Sequence, residues 1–228
     1  MKHSDFYFLL IVVILFAPFF VSENLYAWYQ SFNTEHGMVM SFIKFALLST
    51  LGELFGLRIS TGNYYRTGFG ILPRAIVWGI FGMVINLAFI IFSTGVPATA
   101  AYLGVTDPAG IMAGPLSLSK ILLALAISVC LNSIFAPVFM TFHKITDTHI
   151  LATGGTLRGL FTPIPMGDIM QQINWHVQWG FVFKKTIPFF WYPAHTITFL
   201  LPGETRVLFA ALLGVVLGVI LAIAARKK

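Results

Sequence analysis

The chain has 228 residues, 57% of them hydrophobic and only 10% charged, with a mean hydropathy of +0.85. Soluble domains usually carry about 25% charged residues, and charge this sparse cannot solvate so large a surface, so lipid is the expected solvent for most of it. The net charge of +6 would raise nucleic acid as a partner, but the basic residues are dispersed over several loops, with neither a patch nor a nucleic-acid motif, which argues against that class.

In chain order, six apolar stretches cover residues 6–21, 38–57, 71–93, 118–142, 181–201 and 207–225. Most approach the roughly 20 residues that a helix needs to cross a bilayer. Threaded through a membrane, they sort the cations onto one side: Lys2; Arg58, Arg66 and Arg74; Lys144, Arg158, Lys184 and Lys185; and Arg226, Lys227 and Lys228. The other side receives Lys120 and Arg206, each at a helix end, and its first loop carries Glu23 and Glu35 with no cation. Such asymmetry predicts an all-α polytopic transmembrane helix bundle of about six spans, with both termini on the inner side. Multi-pass insertion in a plasma, inner or organellar membrane follows, with the lipid bilayer as the first partner.

The first stretch, after Lys2, could also serve as a secretory signal peptide. No small-x-small cleavage site follows it directly, which favours an uncleaved span. Turn formers mark the loops: Gly62-Asn63, Gly68 and Gly70; Pro97, Asp107-Pro108, Gly110 and Pro115; Gly154-Gly155, Pro163 and Pro165. The longest non-spanning piece, 143–178, contains an amphipathic run at 166–179. Its Ile169, Met170, Ile173, Trp175 and Val177 are candidate lipid-facing positions, and Trp175 and Trp179 suit interfacial depth.

Three spans carry small or weakly polar residues at helical spacing: Ala75, Gly79, Gly82 and Asn86; Ala124, Ser128, Asn132 and Ala136; Ala210, Gly214, Gly218 and Ala222. Helices in lipid associate by close backbone approach, so these faces predict intimate packing and a possible homo-oligomer contact. Asn86, Ser128 and Asn132 either pair during that packing or line a polar pathway. The fifth stretch holds Pro188 and Pro193, which remove two backbone donors and predict a kinked or broken helix. It reads as an aromatic-belt surface helix or, alternatively, as a pore wall or re-entrant element.

Lys44 and Glu53 are the acid–base residues well inside a span, where charge is costly and points to function. Nine residues apart, they lie on opposite faces of one helix and cannot simply pair. Lys44 is placed to snorkel, whereas the short Glu53 carboxylate needs a protein partner, with Arg58 and Arg74 in reach. The six histidines, His3, His36, His143, His149, His176 and His195, form no i, i+4 pair and no zinc motif, so no metal is expected. Neither a nucleophile elbow nor a phosphate-binding glycine loop is present, and no cofactor or enzymatic activity is expected. Cys130, alone within an apolar run, reads as a small core residue.

From about Ser41 onward the order of motifs resembles the family of the 22-kilodalton peroxisomal membrane protein and its mitochondrial inner-membrane relatives. Gly52-Glu53 is similar to the family's Gly-Asp pair, and Arg74 with Gly82 to its arginine before a glycine-bearing span. Lys120, then Leu131-Asn132 through Ala136-Pro137, occupies the place of its Lys…Asp-Gln-x-x-x-Ala-Pro, with leucine for the aspartate. Trp191-Tyr192-Pro193-Ala194, Phe199 through Pro202, and Arg206 look like its degenerate C-terminal signature. The resemblance makes residues 1–37 an added span and outer loop on a family-like bundle of 38–228. It implies a multi-helix membrane protein, in some members channel-like, with Glu53, Arg74, Asn86, Asn132, Trp191, Pro193 and Arg206 as the residues to carry function.

The expected function is therefore a channel-like membrane protein for small solutes or ions, using the Asn86 and Asn132 faces with Glu53 and Arg74 at the inner mouth. A non-conducting scaffold or assembly factor is the alternative. An intramembrane enzyme would need two convergent titratable groups in one cavity, which the sequence does not mark.

Overall fold

The computed structural model describes residues 2–225, with side chains through Ile220 and that of Ile223. The Ala222 side chain, Arg226, Lys227 and Lys228 lie outside the described residues. Every regular element among those described is helical, in the order α1 (His3–Val21), α2 (Glu23–Glu35), α3 (Gly37–Thr61), α4 (Ile71–Tyr102), α5 (Pro108–Ala113), α6 (Leu118–Ala152), α7 (Leu157–Leu160), α8 (Met166–Gln172) and α9 (Trp175–Val177). A π-helical segment, Gln178–Trp191, then runs directly into α10 (Tyr192–Leu200), and α11 (Gly203–Ala225) closes the chain. The protein is an all-α polytopic bundle: α1, α3, α4, α6 and the Gly203–Ile220 part of α11 are long and apolar enough to cross a membrane. The fifth apolar stretch of the sequence is the two-part rod formed by the π segment and α10.

The polar residues of the connections stop and start these rods. Ser22 and Ser117 accept from the backbone N–H of Leu25 and Lys120, capping α2 and α6. Asp107 caps α5 with Pro108 in its first turn. Residues 23–35, expected as an outer loop, are thus a helix. Pro97, expected in a loop, lies inside α4; the surrounding backbone stays helix-bonded because lipid offers it no other partner. At about 48 and 52 Å, α4 and α6 exceed the roughly 30 Å hydrocarbon core, so their ends carry polar groups beyond it.

Neighbouring rods run in opposite directions, which makes two ends. One gathers the start of α1, the end of α3, Arg74 and the end of α6. Here Lys2 Nζ donates to the Gly62 carbonyl at 3.0 Å and Asp5 pairs with Arg58 at 2.7 Å. Phe8 packs between Phe55 and Tyr64. The 62–70 and 153–156 loops touch backbone to backbone at this end. Gly70 and Gly155 both have positive φ, and a Cβ on Gly155 would fall 2.5 Å from Gly70 N, so only glycine meets both demands. The other end carries α2, α5 and the start of α11, and there Asn33 Nδ2 donates to the Glu204 carbonyl.

Helix α3 is gripped from two sides by small residues. A Cβ on Gly82 would sit 2.4 Å from the Ser41 carbonyl oxygen, and one on Gly52 only 3.0 Å from Val215 Cα. The core between α3, α4, α6, α10 and α11 is built around Phe45, Ile85, Phe89, Ile127, Leu131 and Phe199. Large apolar side chains such as Leu9, Ile14, Ile90, Ile91 and Ile134 are exposed instead, which is stable only if lipid covers them.

Two local expectations are corrected. Ile169 and Ile173 are buried against Ile145, because α8 folds back under the extended end of α6; Met170, Trp175 and Val177 are the exposed positions. Cys130 is half-buried rather than a core residue. Within the chain, the small faces of α4 and α11 meet α3 at Gly79, Gly82, Gly214 and Gly218, and Ala124, Ser128, Asn132 and Ala136 of α6 are buried.

Candidate functional site

The bundle holds two polar clusters, one toward the end where α4 begins and one deeper among the helices, and a cavity that joins them. The first cluster forms because α6 continues past the apolar run that the sequence marks as its span. Its extra turns carry His143 and Asp147, spaced i, i+4 on one face. Arg74, in the first turn of α4, is buried between the carboxylates. Its Nη1 donates to Glu53 Oε2 at 2.7 Å, its Nη2 pairs with Asp147 Oδ1, and its Nε donates to the Phe69 carbonyl at 2.7 Å. The guanidinium also lies 4.3 Å from the Phe69 ring centroid. The other oxygen of Glu53 accepts from Trp78 Nε1 at 2.9 Å and lies 3.5 Å from His143 Nε2. Lys144 approaches Asp147 at 4.0 Å from the exposed side. Two carboxylates face one arginine and one lysine, so the cluster is balanced in charge and its buried acceptors are occupied.

The second cluster lies where the π segment meets α10. Ser128 donates to the Tyr192 carbonyl at 2.8 Å. Asn132 Nδ2 donates to the Ser128 carbonyl at 2.8 Å, which directs its Oδ1 toward His195 Nδ1 at 3.1 Å. An amide oxygen only accepts, so Nδ1 carries the imidazole proton and Nε2 is left as an acceptor. The His195 ring lies 4.9 Å from that of Trp191 and 5.4 Å edge-on to that of Phe89. Ser133 and Tyr192 add a hydroxyl pair at 2.7 Å.

Between the clusters lies a cavity of about 310 Å³, bounded by α3, α4, α6, the π segment, α10 and α11. Glu53 and His143 border it on one side, Asn132, His195 and Trp191 on the other. Most of the remaining wall is aromatic or aliphatic, including Phe45, Phe135, Phe139 and Met140. Gly214 and Gly218 of α11 leave room for it where larger residues would project inward.

The sequence-marked residues divide accordingly. Glu53, Asn132, Trp191, Gly214 and Gly218 border the cavity, while Arg74 and Ser128 hold those that do. Lys44 and Asn86 lie elsewhere: Lys44 donates to Asn33 Oδ1 near the Tyr29 ring, and Asn86 donates to the Gly37 carbonyl at 3.4 Å, tying α4 to the start of α3. Pro193 lies in the first turn of α10, Phe199 fills the core, and Pro202 anchors the turn into α11. Arg206 reaches back to donate to the Phe199 and Leu201 carbonyls at 3.2 and 3.1 Å, satisfying the end of α10. Sequence reasoning missed Asp147, Trp78, His143 and His195 as site residues. The i, i+4 spacing of His143 and Asp147 was the available signal, and it is informative only if α6 is known to continue. Among the described residues no group of histidine, cysteine and carboxylate side chains is placed to hold a metal.

No family model, curated protein or solved structure matches this chain.

Proposed function

We propose that this integral membrane protein gives small uncharged solutes a passage or resting site within its helix bundle, with both termini of the chain on the inner side. The observation that carries the reading is the cavity that joins the Glu53–His143 cluster to the Asn132–His195 cluster. A packed bundle that served only to hold its helices together would gain dispersion energy by filling that space. The charge balance of the Arg74 cluster favours neutral solutes over ions: Glu53 is already countered, and a bare ion in an apolar cavity without a free counter-charge is costly. The cations Lys2, Arg58, Arg66, Arg74, Lys144 and Arg158 support the orientation. The family resemblance, with its channel-like members, points the same way.

The test is osmotic. Liposomes containing the purified protein, loaded and then challenged with urea, glycerol or erythritol, should re-swell faster than protein-free liposomes. Gly214→Leu, which places a side chain in the cavity, should slow that re-swelling while planar-bilayer recordings stay silent. Re-swelling equal to protein-free liposomes, from protein shown to be folded and inserted, removes the passage reading. A scaffold role is the second reading, favoured by the consumption of the small helix faces and the Glu53–Arg74 pair in packing.

A further inference from the structure

Trp191 is 8% exposed and Ser49 only 4%. Trp191 Nε1 and Ser49 Oγ are both buried without a hydrogen-bond partner, and both residues border the cavity. A buried donor left without an acceptor is costly. A serine hydroxyl can turn toward its own helix, and Thr50, the third such residue, lies off the cavity and can do the same. An indole N–H cannot turn away and can only donate. Phenylalanine would fill the position of Trp191 at no such cost, and its neighbours Phe189 and Phe190 show that the segment readily carries it.

From these facts we infer that the cavity binds a neutral, mainly apolar molecule bearing a carbonyl-type oxygen, which accepts a hydrogen bond from Trp191 with Ser49 as a second donor. The inference rests on the cavity being a solute site and names the chemical class it takes. The aromatic and aliphatic wall supplies the contact for an apolar body. The balanced Arg74 cluster supplies no free charge for an ionic one. His195 Nε2, facing no donor among the described residues, selects further for molecules that also carry a hydroxyl or N–H. At about 310 Å³ the space lies at the small end of ligand pockets, which suits one or two rings.

The test uses benzophenone, a neutral two-ring ketone that cross-links to nearby C–H bonds on illumination, with the full-length protein in detergent micelles. Labelled residues are mapped by peptide mass spectrometry, and fluorenone and fluorene, similar in shape with and without the carbonyl, compete for the site. Labelling is expected at cavity residues such as Met140, with fluorenone displacing it at about tenfold lower concentration than fluorene, the ratio that one such hydrogen bond supplies. In Trp191→Phe that advantage should fall to about twofold or less. Labelling confined to outward-facing residues overturns the inference, as does equal displacement by the two competitors in the unaltered protein, a comparison that does not depend on any variant folding. Occupancy is read independently of flux. Binding without solute passage would remove the passage reading and keep the site, whereas passage without carbonyl-selective binding would remove the site alone.

Discussion

Arg74 reaches Glu53 across the α3–α4 contact at 2.7 Å while its other terminal nitrogen holds Asp147 of α6. One cation thereby ties three long helices together at the end of the cavity. Arg74→Met would strand two carboxylates in a largely buried setting, and a loss of about 3 kcal/mol is expected. Glu53→Gln keeps an acceptor for Trp78 and should cost less, about 1–2 kcal/mol. Adding Glu53→Gln to Arg74→Met should recover part of the larger loss. Equilibrium unfolding in mixed micelles checks all three, and an Arg74→Met variant as stable as the parent would refute the tie.

The glycines of α4 provide a contrast at constant chemistry. Gly82→Ala puts a methyl group against the Ser41 carbonyl and Phe45 Cβ, at 2.4 and 2.7 Å, and should cost about 1–3 kcal/mol by forcing the helices apart. Gly95→Ala, with no atom within 4 Å of the new Cβ, should leave stability unchanged or slightly higher. The same unfolding measurement decides between this picture and one in which all α4 glycines are equivalent.

Asn132 and His195 form a pair that can be isolated energetically. Asn132→Leu leaves His195 Nδ1 without its acceptor, and His195→Phe leaves the Asn132 oxygen without its donor; each should cost about 1–3 kcal/mol. Made together, the two substitutions should cost less than their sum, and a double-mutant cycle returning strict additivity would show that the contact contributes nothing.

Alkaline pH should act at the junction of α1 and α3. Burial against Phe8, and after it the negative charge of Asp5, hold the Tyr64 phenol above its ordinary value of 10.0. The folded chain therefore binds that proton more tightly than the unfolded one. The contribution is complete below about pH 10 and disappears as pH rises through the folded-state value. A melting midpoint followed from pH 8 upward should fall beyond that point, and Tyr64→Phe should flatten the fall.

The class of the protein was legible from the chain because lipid imposes a coarse rule: backbone must bond within its own helix and charge must stay near the ends. Long apolar runs and sparse charge therefore determined an all-helical membrane bundle. Glycine spacing likewise marked the faces of α4 and α11, which meet α3, since close approach needs only the absence of a side chain. The need of Glu53 for a partner followed from the cost of a buried carboxylate, and Arg74 was one of its two candidates.

Tertiary structure alone decided the rest, because a cavity is a relation among helices distant in sequence. Arg74 was chosen over Arg58 because Asp5, from the start of α1, takes Arg58 instead. Asn132 borders the cavity while Asn86, on an equally small-residue stripe, ties α4 to α3, a difference set by which neighbour each face meets. His195 became a site residue through Asn132, sixty-three positions earlier. Pro188 and Pro193 signalled an irregular rod, but neither its π geometry nor the packing of Ile187 and Trp191 against Ala136 of α6 at the cavity could be read from them. A single chain's local patterns specify where helices begin, end and face lipid; which polar groups then share one cavity wall depends on how those helices cross.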